Sequence, residues 1–144
     1  MNKDVKYLFV YGSLMEGFFN SEKALIGQVE KRIRAKTKGR LYHLANKGYP
    51  AMVDGDDTIY GELLVMKDLK GIFPTLNKIE NYYGENDPKN EYNRVVIEVE
   101  TLDGEKVLAY AYKYNEDNVE NQKDEKIYIP DGDWREYMNR QGDR

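Results

Sequence analysis

Two places in the chain hold residue types that could do chemistry on a small molecule. In the first, the run Tyr7-Leu8-Phe9-Val10-Tyr11 stops at Gly12-Ser13-Leu14 and continues through Gly17 to Asn20. An apolar run this short, rich in Phe, Val and Tyr, reads as a buried strand that ends at the glycine. A Gly-Ser pair leaving a strand can expose successive backbone N–H groups with no large side chain in the way, which suits a carboxylate or a developing oxyanion. The second place is Glu80, four residues beyond Leu76 on a helical stripe formed with Ile79 and Tyr83. That spacing puts its carboxyl at the border of the core-facing side, where partial desolvation makes it hold a proton more tightly than a solvated glutamate. Each feature has a plain alternative: a turn that only reverses the chain, and an ordinary boundary glutamate.

Other chemistries are excluded by composition. The chain has 144 residues and no cysteine, which removes disulfides, thiolate catalysis and Cys-ligated metal. His43 is the single histidine, so no multi-His metal site can form, and no nucleophile-elbow pattern accompanies it. It reads as a strand residue without a catalytic role. Charged residues make up 33% of the chain, leaving no window apolar enough to cross a membrane. Asn2-Lys3-Asp4 leads straight into a strand, unlike a secretory leader, so the expectation is a cytoplasmic protein with no membrane partner. With 26 acidic and 22 basic residues, the net charge of -4 repels phosphate backbones on average and argues against nucleic acid. The basic stretch Lys31 to Lys38 fits the wet side of an edge strand.

The elements that must position the two sites are mostly strands, in a single domain over residues 1–144 with no internal repeat. A short helix is expected at Glu22 to Ile26, capped by Asn20 or Ser21 and ended by Gly27. Residues 29–44 read as strand with a kink or bulge at Gly39, Tyr49-Pro50-Ala51 as a constrained turn or edge, and Asp54-Gly55-Asp56-Asp57 as a tight acidic loop before a strand from Thr58 to Met66. A helix is expected from Pro74 to Tyr82. Leu102-Asp103-Gly104-Glu105 marks a hairpin between a strand opening at Tyr92 and a return strand that carries Tyr110, Tyr112 and Tyr114 on one side. The polar tract Asn115 to Lys126 reads as a mobile loop, and a final helix capped near Asp133 is packed down by Trp134.

Taken in order, several segments resemble the gamma-glutamylcyclotransferase-like family. They are Phe9-Val10-Tyr11-Gly12-Ser13-Leu14 with Gly17 and Asn20, then Lys38-Gly39-Arg40-Leu41-Tyr42 and Gly48-Tyr49-Pro50-Ala51, then Tyr60-Gly61-Glu62-Leu63. Leu76-Asn77-Lys78-Ile79-Glu80-Asn81-Tyr82 followed by Tyr92-Asn93-Arg94 completes the likeness, which covers most of the chain. The resemblance implies an α+β fold, a small mixed β-barrel flanked by short helices. It also implies Glu80 as catalytic acid/base, Tyr11, Gly12, Ser13 and Leu14 as the substrate-holding turn, and Tyr112 as a pocket residue. The implied substrate is a small gamma-glutamyl amide, cleaved with no cofactor or metal. A non-catalytic binding module on the same fold, and a structural helper without a ligand, are the other classes of function open at this point.

Overall fold

The structure is a computed structural model and describes residues 5–141. Asn2-Lys3-Asp4, read above as a start without a leader, lie outside the described residues. Ten elements follow one another: β1 (Tyr7–Val10), α1 (Phe19–Ala24), β2 (Val29–Leu44), β3 (Tyr49–Met66), α2 (Leu69–Glu80), β4 (Tyr92–Thr101), β5 (Lys106–Tyr114), a 3-10 turn at Asn121–Lys123, β6 (Lys126–Ile129) and α3 (Trp134–Gln141). The strands run in the order β3-β1-β5-β4-β2, and β2 pairs again with β3, so five strands close a barrel; β6 adds to the far end of β2. Only the β1–β5 pair is parallel, which makes the barrel mixed as expected.

Strands β2 and β3 form one long hairpin that serves two purposes. Val29 to Gly39 pairs with Asp57 to Met66 inside the barrel, and Arg40 to Leu44 pairs with Tyr49 to Val53 beyond it. The register slips between Gly39 and Arg40, where the partner strand steps from Asp57 to Val53. The bulge expected at Gly39 is therefore present, and the acidic run at Asp54 to Asp57 is the other side of the same bulge within a continuous strand, not a separate loop. Lys31 to Lys38, expected on an edge strand, is covered on its second side at its centre only. Ala35 and Lys36 pair with β4 as well as β3, because closing the barrel abolishes the edge there.

Helix α2 begins earlier than Pro74. The Asp68 carboxylate accepts the Gly71 N–H at 3.1 Å and caps the first turn, so Pro74 lies inside the helix on its exposed side, where one lost backbone bond is made up by water. Ile72 and Leu76 are buried and fasten the helix to a core that includes Leu8, Phe9, Leu41, Leu44, Ile59, Leu63 and Val99. The helix stops after Glu80 because Asn81 adopts a left-handed conformation (φ 52°).

Residues 115–126 are the largest departure from expectation. Asn115, Asn118 and Asn121 are buried. Asn115 and Asn118 each donate to the Asn90 carbonyl at 2.9 Å, and Asn121 donates to the carbonyls of Glu91 and Asn115 at 3.0 and 2.9 Å. A polar tract is ordered here by amides that satisfy backbone groups instead of by apolar burial. At the C-terminal end, Asp133 caps α3 through the Glu136 N–H at 3.0 Å. Trp134 is buried and donates to Nδ1 of His43 at 3.0 Å, a structural partner for the lone histidine of β2.

Candidate active site

A cleft of about 530 Å3, including its open mouth, lies where β1 ends beside the C-terminal end of α2. Its floor starts at Tyr11, whose buried hydroxyl donates 2.6 Å to the Tyr112 carbonyl. Gly12 then passes so close to β3 that a Cβ there would lie 2.7 Å from Cγ of Pro50, which explains why this position has no side chain. The turn is tied down through its carbonyls. Gly12 O accepts from Met15 N at 2.9 Å and Ser13 O from Ser21 N at 3.1 Å. The Asn20 amide holds the Ser13 hydroxyl at 2.7 Å. Among the described residues, no group accepts the N–H of Gly12, Ser13 or Leu14, and these three residues line the cleft.

Behind the turn sits a partly buried ion cluster. Glu62 on β3 accepts from Arg32 at 2.6 Å, from Arg135 at 3.2 Å and from the Glu16 N–H at 3.0 Å. Arg32 also reaches Ser21 at 2.6 Å, and Arg135 reaches the Glu16 carbonyl at 2.9 Å. The turn is thereby clamped between the barrel, α1 and α3.

Glu80, the last residue of α2, lines the same cleft. Among the described residues its carboxyl makes no hydrogen bond, and it is partly exposed to the solvent of the cleft. Burial raises its pKa to about 8, with the negative charge of Glu91 adding to the effect. Four tyrosines share this lining, and burial pushes each hydroxyl above its ordinary range: Tyr11, Tyr49, Tyr92 and Tyr112. Each already donates its proton to the protein. Tyr49 gives it to Glu91 at 2.5 Å, Tyr92 to the Pro50 carbonyl at 2.6 Å and Tyr112 to Asn77 at 2.7 Å, as Tyr11 does to Tyr112. Asn77 is held in turn by Arg94 at 3.2 Å, whose guanidinium lies 4.0 Å from the Phe73 ring centre. The hydroxyl oxygens facing the cleft are therefore acceptors, suited to an ammonium or amide N–H.

All six residues singled out from the sequence, Tyr11, Gly12, Ser13, Leu14, Glu80 and Tyr112, meet in this one cleft. Tyr49, Pro50, Tyr92 and Asn20 also line it and were not assigned to the site. Local spacing does not join them, because they arrive from three different elements: Asn20 from α1, Tyr49 and Pro50 from β3, and Tyr92 from β4.

A closed five-stranded mixed barrel, with a glycine turn at the end of its first strand facing a helix-terminal glutamate, frames the cleft. Residues 8–136 match the family described as gamma-glutamyl cyclotransferase, AIG2-like, and the chain belongs to that family. It is 27% identical over 130 residues to the gamma-L-glutamyl-butirosin B gamma-glutamyl cyclotransferase of Niallia circulans, covering 90% of this chain and 76% of that protein. Among solved structures it resembles YkqA from Bacillus subtilis, with a TM-score of 0.66 and 26% identity over 96% of this chain; it spans 43% of YkqA. It also shares its fold with an AIG2-like protein from Mus musculus, with a TM-score of 0.59 and 19% identity, over 79% of this chain and 82% of that one.

Proposed function

We propose that the protein releases 5-oxoproline and a free amine from a gamma-glutamyl amide, with Glu80 as acid/base. The observation that carries this reading is one cleft holding a carboxyl with a pKa raised to about 8 together with three unengaged backbone N–H groups. Family membership supports gamma-glutamyl cyclotransfer in general, and the Niallia circulans relative is named as a gamma-glutamyl cyclotransferase of gamma-L-glutamyl-butirosin B.

In such a substrate the nucleophile and the electrophile belong to the same residue, so the protein has to hold the folded conformer and move protons. Glu80 takes a proton from the α-ammonium. The freed nitrogen attacks the γ-carbonyl carbon, forming the five-membered ring. Glu80 hands that proton to the departing nitrogen, whose bond to the carbon breaks. The emptied carboxylate then takes the proton that the ring nitrogen loses and passes it to the freed amine or to solvent, so Glu80 is regenerated and no redox partner or external nucleophile is consumed. Backbone N–H groups from Gly12 to Leu14 serve the α-carboxylate or the tetrahedral oxyanion, each oxyanion donor contributing about 3 kcal/mol. The tyrosine oxygens accept from the α-ammonium. A cleft without a cation in its lining fits this division, since the ammonium meets Glu80 and the anionic groups meet the backbone.

The test is mass-spectrometric detection of 5-oxoproline when purified protein meets a panel of gamma-glutamyl amides and dipeptides beside Glu80→Gln. Release by wild type and a loss of about three orders of magnitude in the variant supports the reading. Binding of 5-oxoproline by a folded wild-type protein that releases nothing from any panel member would move the assignment to a binding module.

A further inference from the structure

Glu91 is a buried carboxylate that the proposed reaction does not use. Its side chain is 10% exposed, and it gathers donors from the β2–β3 hairpin and the end of α2: the Tyr49 hydroxyl at 2.5 Å, the Lys47 ammonium at 2.8 Å and the Asn81 amide at 2.8 Å. Its backbone is fixed as firmly. Glu91 N donates to Asn81 O at 3.0 Å, while Glu91 O accepts from Asn115 N and from the Asn121 amide, both at 3.0 Å. Lys47 is shared with Asp124 at 2.9 Å, and Asp124 accepts the Tyr114 hydroxyl at 2.6 Å.

Burying a charge costs free energy that a well-packed apolar group would not, so stability alone is a poor reason for a carboxylate at this place. What the carboxylate grips is informative. Asn81 directly follows Glu80 and ends α2 in the left-handed conformation, so its position decides where the last helical side chain projects. Tyr49 lines the cleft from β3, on the wall formed by the other strand hairpin.

Building on the function proposed above, we propose that Glu91 is a positioning residue for Glu80: it holds Asn81 and Tyr49 in one hydrogen-bonded frame that aims the Glu80 carboxyl into the cleft and keeps a second negative charge beside it. The groups facing Glu80 are hydroxyls from each surrounding element, namely Tyr11 after β1, Tyr49 on β3, Tyr92 on β4 and Tyr112 on β5. Arg94 acts on Tyr112, and Lys47 offsets Glu91 at Oε2, the same oxygen that Tyr49 reaches. Glu91 is the formal charge that adds to burial in raising the proton affinity of Glu80. Neutralising Glu91 therefore lowers that affinity, and removing Lys47 leaves Glu91 unbalanced and raises it.

The experiment is a carboxyl-carbon NMR titration of Glu80, assigned by its disappearance in Glu80→Gln, in wild type, Glu91→Gln and Lys47→Met, alongside kcat and KM across pH. Glu91→Gln keeps an acceptor for Asn81 and loses the charge. Its expected result is a Glu80 midpoint about one pH unit lower, an acidic limb of kcat/KM displaced equally, and kcat reduced about tenfold with KM little changed. Lys47→Met moves the midpoint and the limb upward. Midpoints unchanged in both variants, with only the melting temperature falling, would overturn the proposal and leave Glu91 a structural residue. A wild-type protein without cyclotransferase activity would sink the function proposed above, while the NMR titration would still decide the role of Glu91.

Discussion

The Tyr11 hydroxyl donates a 2.6 Å hydrogen bond to the backbone carbonyl of Tyr112, joining the turn after the first strand to the fifth strand within the wall of the cleft. Removing that hydroxyl in Tyr11→Phe leaves the ring in place and the Tyr112 carbonyl without its buried donor. The expected cost is about 1–2 kcal/mol, seen as a lower urea midpoint, together with reduced turnover because the cleft floor loses its tie.

Gly12→Ala tests the close approach of the turn to β3. A new Cβ would lie 2.7 Å from Cγ and 2.9 Å from Cδ of Pro50, and a proline ring has little freedom to retreat. The turn must shift instead. A destabilisation of about 1–3 kcal/mol accompanied by a raised KM is expected in thermal melts and steady-state kinetics.

Glu80 should make the protein less stable as pH rises. Its folded-state pKa is raised to about 8 against an ordinary 4.5, so the folded form holds the proton that the unfolded chain releases. The associated stability is complete below the unfolded value and is lost as pH rises through about 8. Glu80→Gln is always neutral. It should match wild type at pH 4 and exceed it at pH 9 by about 1–3 kcal/mol, allowing for the solvent that reaches the carboxyl. Equal melting curves for the two proteins at pH 9 would contradict the raised proton affinity.

The clamp behind the turn predicts a different pattern. Glu62→Ala strips the partner from Arg32 and Arg135 and frees the Glu16 N–H. With Glu62 only 11% exposed at its side chain, the expected loss is about 2–4 kcal/mol, and it should persist in 1 M salt because the pair with Arg32 is shielded from solvent. Denaturant titrations at two ionic strengths check both points.

Much of the site was legible because its chemistry is local. A strand broken by Gly12-Ser13, and a glutamate spaced on a helix from Leu76, can be read from neighbours in sequence. The ends of α2 were harder. Pro74 looked like a first-turn residue, but the Asp68 cap starts the helix five residues earlier than the proline would. The tract from Asn115 to Lys126 misled for another reason: composition reports missing apolar surface, not whether amides will find carbonyls, and Asn115, Asn118 and Asn121 find those of Asn90, Glu91 and Asn115. Tyr49 and Tyr92 enter the cleft through long-range pairing of strands, which no window along the chain contains. The basic stretch of β2 reads as an edge because nothing local announces that β4 will pair with Ala35 and Lys36 at its centre.

The parallel pairing of Tyr7 with Ala109 and Leu8 with Tyr110 has a consequence for the nascent chain. The two strands that make this wall of the cleft are separated by three other strands and two helices along the chain. Until β5 emerges, β1 lacks one of its two neighbours and the turn at Gly12 has no Tyr112 to rest on. Assembly of the cleft thus coincides with closure of the barrel, a long-range event of the slow kind.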